Sequence, residues 1–123
     1  MKNILVIDDS KFDSAIIAHC LYAISSQVQI GIVNESSEAV GKFLSGQPDL
    51  VLLDISMPEP DGFTVLSELN ELPQRKHTKI VMFSGSTNPS DRENAIKLGA
   101  DHYIVKPSSL TDYQTLAADI LIV

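Results

Sequence analysis

The chain has 123 residues, enough for one compact domain and too few for two of ordinary size. Acidic residues outnumber basic ones, 16 to 9, for a formal charge of -7. That balance leaves no basic stripe to follow a nucleic-acid backbone and no basic amphipathic face for an anionic membrane. The single cysteine, Cys20, cannot form a disulfide within the chain, and it sits in an apolar pattern as a core thiol of a reducing, cytoplasmic compartment would.

In chain order, strand-like runs alternate with helix-like segments. Asn3–Ile7 is an apolar run cut off by Asp8 and Asp9, too short for a signal peptide or a membrane span. Phe12, Ile16 and Cys20 then recur at every fourth place, with Ser10 set as an N-cap. Residues 29–33 form a weaker strand signal. Ser36-Ser37 opens a helical segment with Ala39, Val40, Phe43 and Leu44, and Gly46 suits its end. Leu50–Leu53 is apolar throughout. Phe63, Val65, Leu66 and Leu69 give a third helical face that Pro73 ends. Gln74, Arg75, Lys76 and His77 read as a solvated loop before the next apolar run, Ile80–Phe83. Pro89 opens a fourth helix containing Ala95, Ile96 and Leu98, which Gly99 stops. Tyr103–Val105 is the last strand. Tyr113, Leu116, Ala117, Ile120 and Leu121 then mark the buried face of a fifth helix.

Four of the five strand runs lack polar alternation, so both faces of the sheet should be covered. Five strand–helix units in succession imply one α/β domain over 1-123, a doubly wound parallel sheet with right-handed crossovers. No repeat, linker or low-complexity tract interrupts it.

The polar residues gather where the strands stop. Asp8-Asp9 end the first, Asp54 the third, Ser84 the fourth and Lys106-Pro107 the fifth. In a parallel sheet these ends share one edge, where open α/β sheets carry their sites. A pair of carboxylates about 4 Å apart repels by roughly 4 kcal/mol at an effective dielectric near 20, so Asp8, Asp9 and Asp54 together call for a cation. Magnesium takes oxygen ligands and phosphate oxygens together. Lys106 adds a fixed positive charge and Ser84 a hydroxyl, which completes a phosphoryl-transfer set around a carboxylate nucleophile. His19, His77 and His102 are scattered without ligand spacing, so no zinc site is expected.

Ile-Asp-Asp at 7–9, Leu-Asp-Ile-Ser-Met-Pro-Glu-Pro-Asp-Gly at 53–62, Phe-Ser-Gly at 83–85 and Gly-Ala-Asp-His-Tyr-Ile-Val-Lys-Pro at 99–107 are similar to the receiver domains of two-component response regulators. The likeness runs over nearly the whole chain. It implies a flavodoxin-like five-stranded sheet of order 2-1-3-4-5 with five helices. It implies that Asp54 accepts a phosphoryl group from a sensor histidine kinase or phosphotransfer protein. Asp8, Asp9, Asp54 and the Ser56 carbonyl would hold Mg2+, and Lys106 would pair with the phosphoryl oxygens. Ser84 and Tyr103 would be the switch residues, although Tyr103 fits a core aromatic as well. The Lys106–Pro107 peptide would be cis. Ser56 and Ser86 would flank the site.

A receiver of this kind is a signalling switch, not a turnover enzyme. It catalyses only its own phosphorylation and dephosphorylation. Its output would leave through protein contact on the face of the fourth helix, fifth strand and fifth helix, or through a homodimer. Ile122 and Val123 either extend a dimer surface or mark a cut chain end. Residues 87–92, Thr-Asn-Pro-Ser-Asp-Arg, are similar to small receivers paired with phytochrome-type kinases. A flavin mononucleotide binder would want a Ser/Thr/Gly-rich loop where Asp8-Asp9 stand. An aspartyl-phosphate phosphatase would want Asp-x-Asp there. The remaining alternative is a pseudo-receiver that binds partners without phosphorylation.

Overall fold

A computed structural model describes residues 2–123. Strands and helices alternate as β1 (Lys2–Ile7), α1 (Lys11–Ile24), β2 (Val28–Val33), α2 (Ala39–Gly46), β3 (Leu50–Leu53), α3 (Gly62–Asn70), β4 (Lys79–Ser84), α4 (Pro89–Lys97), β5 (His102–Val105) and α5 (Leu110–Leu121). Short 3-10 turns at Ser36–Glu38 and Pro73–His77 lead into α2 and β4. The strands form one parallel sheet in the order β2-β1-β3-β4-β5.

Strand alternation divides the core between two layers. Leu5 and Ile7, Val51 and Leu53, and Ile80 and Met82 face Phe43, Val65, Leu66, Leu69 and Ala95, which belong to α2, α3 and α4. Ile4 and Val6, Leu50 and Leu52, and Val81 and Phe83 face Ile17, Cys20, Leu21, Tyr113, Ala117 and Ile120 of α1 and α5. Side chains caps fix the helix starts: Ser10 Oγ accepts from Asp13 N–H, Asp61 from Thr64 N–H, Asn88 from Ser90 N–H and Ser109 from Asp112 N–H.

Several local expectations change. The buried stripe of α1 is Ser14, Ile17, Ala18, Cys20 and Leu21, whereas Phe12 is 73% exposed. Cys20 and, in part, Ile16 do pack on the core, but a four-residue step advances 400° around a helix, so Phe12 lies about 80° from Cys20 and falls outside that face. Gln47, not Gly46, takes the left-handed conformation that ends α2, with φ 45. Arg75 is no solvated loop residue. Its guanidinium donates to Asn70 Oδ1 (2.6 Å), the Thr78 carbonyl (2.6 Å) and the Gly99 carbonyl (2.7 Å), and pairs with Asp101 (3.1 Å). Ile122 is exposed, but Val123 packs against the α1–α5 side of the core. The cis peptide among the described residues is Glu59–Pro60, not Lys106–Pro107. Any X–Pro bond accepts either isomer at about 1 kcal/mol or less, so tertiary surroundings decide which one is cis.

Candidate functional site

Strand order brings the acidic residues together. β1 and β3 are neighbours in register, Ile7 beside Leu53. Each ladder continues one residue beyond its strand, with Asp8 N–H donating to the Val33 carbonyl and Asp54 N–H to the Ile7 carbonyl, both at 2.9 Å. Asp8 and Asp54 are therefore fixed side by side at the carboxyl edge of the sheet. Both are buried, while Asp9 is exposed. One carboxylate oxygen from each of the three lies within 4.8 Å of the others, so they could share one metal ion. The donor set is all oxygen, which suits a hard divalent cation.

The loop after β3 is held by close packing. Gly62 N–H donates to the Ile55 carbonyl at 3.0 Å. A Cβ on Gly62 would stand 2.0 Å from the Asp54 carbonyl oxygen. Only glycine allows α3 to start so near the backbone of Asp54. Ser56 is exposed in this loop, two residues beyond Asp54.

Lys106 closes the site from β5. Its N–H donates to the Ser84 carbonyl at 2.8 Å, which ties the ends of β4 and β5 together. Its Nζ lies 2.8 Å from Asp8 Oδ2, 3.0 Å from Asp13 Oδ2 and 3.7 Å from Asp54 Oδ1. Burial works to lower the Lys106 pKa. Hydrogen bonds to Asp8 and Asp13, with the charge of Asp54, outweigh it and hold the ammonium above the usual lysine value. Asp54 behaves in the opposite way. Burial first, and then the neighbouring charge of Asp8, push its carboxyl from 3.8 up to about 6, against the pull of Lys106 and the Ser56 N–H. Without a cation this carboxylate ionises only as the pH rises through about 6.

Ser84 is buried at the end of β4, and its Oγ accepts from Ser86 N–H at 3.2 Å. The Ser86 hydroxyl is committed within the loop. It donates to Asp91 Oδ2 at 2.6 Å and accepts from Asn88 N–H at 3.2 Å. Tyr103 is buried among the core residues, and its hydroxyl donates to the Ser86 carbonyl at 2.9 Å.

Asp8, Asp9, Asp54, Ser84 and Lys106 thus meet at one edge, with Ser56 beside them and Tyr103 one step away. Two participants escaped the sequence. Asp13 belongs to none of the sequence motifs, but it meets Lys106 at 3.0 Å. Asn34, just past β2, donates to the Asp8 carbonyl at 2.8 Å and to Ser14 Oγ at 3.2 Å, and so steadies the acidic loop against α1. No sequence signal marks either one, because both partners lie far away in the chain.

The family model of the response regulator receiver domain matches residues 4–118. This chain belongs to that family. Chemotaxis protein CheY of Halobacterium salinarum is 32% identical over 98% of this chain and 97% of its own length. By contrast, the receiver spans only 35% of the length of a protein-glutamate methylesterase from Methanospirillum hungatei, to which it is 29% identical over 98% of itself. Among solved structures, the phosphorylated cyanobacterial phytochrome response regulator RcpA superposes with a TM-score of 0.88 at 28% identity, over 97% of this chain and 90% of that one. The Mn(2+)-bound response regulator Rcp1 superposes at 0.84 and 27% identity, over 98% and 91%. The receiver's sheet order and five helices are those of this family. No helix among the described residues is long and apolar enough to cross a membrane.

Proposed function

We propose that residues 1–123 act as one receiver domain whose Asp54 accepts a phosphoryl group from a phosphohistidine of a sensor kinase or phosphotransfer protein. The observation that carries this is the placement of Asp54. It is a buried carboxylate at a strand end, backed by Asp8 and Asp9, with a lysine ammonium 3.7 Å from Oδ1. In the transfer, an Asp54 oxygen forms a bond to phosphorus as the phosphorus–nitrogen bond of the donor breaks, and the imidazole keeps the electron pair.

Asp8, Asp9, Asp54 and the Ser56 carbonyl would hold Mg2+. Bound there, the ion would neutralise the clustered carboxylates and orient phosphoryl oxygens. The Mn(2+) bound by Rcp1 and the phosphorylated state of RcpA support this reading by likeness. Lys106 balances charge on the transferred group. Asp8 keeps Lys106 anchored, and the buried strand ends keep bulk water from most of the nucleophile.

The output we propose is a change of protein contact. A phosphoryl group on Asp54 adds charge and acceptor oxygens, which Ser84 and Lys106 bind better in one of two states of the β4–α4 loop. Tyr103, bonded to that loop, reports the state. The face of α4, β5 and α5 presents Ile96, Val105 and Leu110, respectively 47%, 40% and 58% exposed, to a target or to a second copy. The chemistry is limited to gain and loss of the domain's own phosphoryl group, in a cytoplasmic setting consistent with a free buried thiol at Cys20.

Intact mass after incubation with acetyl phosphate and magnesium tests the core of the proposal. One added phosphoryl mass is expected, absent without magnesium and absent in Asp54→Asn. No adduct, with no response to beryllofluoride either, would leave a phosphorylation-independent interaction module. Ser84→Ala should still take up the phosphoryl group but bind its target less well. Normal target binding by that variant would count against the switch.

A further inference from the structure

Lys106 is shared unequally among three carboxylates. Its contact with Asp13 at 3.0 Å is a charge-assisted hydrogen bond, its contact with Asp8 is a close ion pair at 2.8 Å, and its 3.7 Å approach to Asp54 is a looser one. The ammonium is drawn toward α1 and stands back from the nucleophile. Asp13 stands in the first turn of α1, where its N–H donates to the capping Ser10 Oγ at 3.1 Å. An acid in a first helical turn favours the helix dipole wherever its side chain points. That role does not need a partner 93 residues away.

The two anchors differ in what it costs to release them. The Asp8 side chain is 3% exposed, so losing Lys106 would leave a buried carboxylate unpaired. The Asp13 side chain is 31% exposed, so water can replace the lysine there. A phosphoryl group on Asp54 carries about two negative charges and three strong acceptor oxygens. An ammonium with three donors can keep Asp8 and exchange Asp13 for such a group.

We propose that Asp13 is a positioning residue that holds Lys106 back from Asp54 in the unphosphorylated receiver and gives it up when Asp54 carries a phosphoryl group. This rests on the assignment of Asp54 as phosphoryl acceptor. The latch opposes the phosphorylated state, so breaking it should favour that state.

The test compares the full chain with Asp13→Asn, Asp13→Glu and Ser10→Ala. Each is titrated with beryllofluoride at saturating magnesium and followed by the amide resonance of Ser84, with thermal unfolding alongside. Asp13→Asn should lower the half-saturating concentration roughly ten-fold, the value of one net charge-assisted hydrogen bond. Asp13→Glu should return toward wild type. Ser10→Ala, which removes the cap and no charge, should lower the melting temperature and leave the titration alone. A crystal structure of free Asp13→Asn should show Lys106 Nζ within hydrogen-bond distance of Asp54 Oδ1.

If Asp13→Asn titrates like wild type, or more weakly, or if its Lys106 has not moved, the latch is wrong. A Glu variant that matches Asn overturns it as well. Failure of wild type to respond at all would instead overturn the phosphoryl-acceptor assignment, and the latch with it.

Discussion

Replacing Asp54 by Asn should make the metal-free fold more stable at neutral pH, although Asp54 is the centre of the site. Burial and the Asp8 charge raise the Asp54 carboxyl from 3.8 to about 6 in the folded chain. The folded state therefore keeps a proton that the unfolded chain has already released. Stability falls as pH rises between about 4 and 6, and above 6 the full cost stands, about 3 kcal/mol as an upper bound. Below about 4 both states are protonated and the cost vanishes. Asn is neutral throughout and escapes that net cost, in which the pull of Lys106 is already counted, so a gain of up to about 3 kcal/mol is expected at pH 7.5. Urea unfolding in the presence of a chelator, at pH 7.5 and pH 4, measures it. The gap should close at the lower pH, and added magnesium should narrow it at the higher one by binding wild type. An Asn variant less stable than wild type at pH 7.5, or a gap indifferent to pH, would refute the claim that ionised Asp54 is a burden on the fold.

Three further outcomes are expected elsewhere in the chain. Gly62→Ala should cost well over 2 kcal/mol in chemical denaturation, because its Cβ would meet the Asp54 carbonyl oxygen at 2.0 Å and the backbone must move. Arg75→Ala should cost about 2–3 kcal/mol by the same assay, since it strands carbonyls of Thr78 and Gly99 and the Asn70 side chain. Cys20 is buried and its thiol is pushed up by that burial, so a thiol reagent should label it only as fast as the chain opens, and rapid labelling of native protein would contradict its place in the core.

The sequence carried what hydrophobic pattern can carry. Leu50–Leu53 is bounded in the structure as its apolar run suggests, and the polar residues that end the strands converge because parallel strands end on one edge. Periodicity was weaker evidence for helix faces. In α1 the spacing from Phe12 to Cys20 held for Cys20 and in part for Ile16 but failed at Phe12, which is exposed, and it missed Ile17 and Leu21 in the buried stripe. Residues whose partners are backbone carbonyls or distant side chains left no trace. Arg75 sits in a basic run that looks solvated, yet it ties α3, β4 and the turn at Gly99. Asp13 and Asn34 join the site only through contacts made by folding, and no local rule could nominate them.

A path of direct contacts leads from the site to α4. Lys106 N–H holds the Ser84 carbonyl, Ser84 Oγ holds the Ser86 N–H, and the Ser86 carbonyl accepts from the Tyr103 hydroxyl while its side chain grips Asp91 in the first turn of α4. A change at Ser84 must therefore strain or remake the bonds of Ser86, and Ser86 has one hand on β5 and one on α4. Tyr103→Phe removes the β5 bond and little else, for about 1 kcal/mol of stability. Beryllofluoride should then still bind, because Asp54, Asp8 and Lys106 are untouched, but the amide shifts it induces across Pro89–Lys97 should shrink. Equal shifts in the two proteins would show that the loop moves α4 without Tyr103, and would leave that aromatic as a core residue that happens to end in a hydrogen bond.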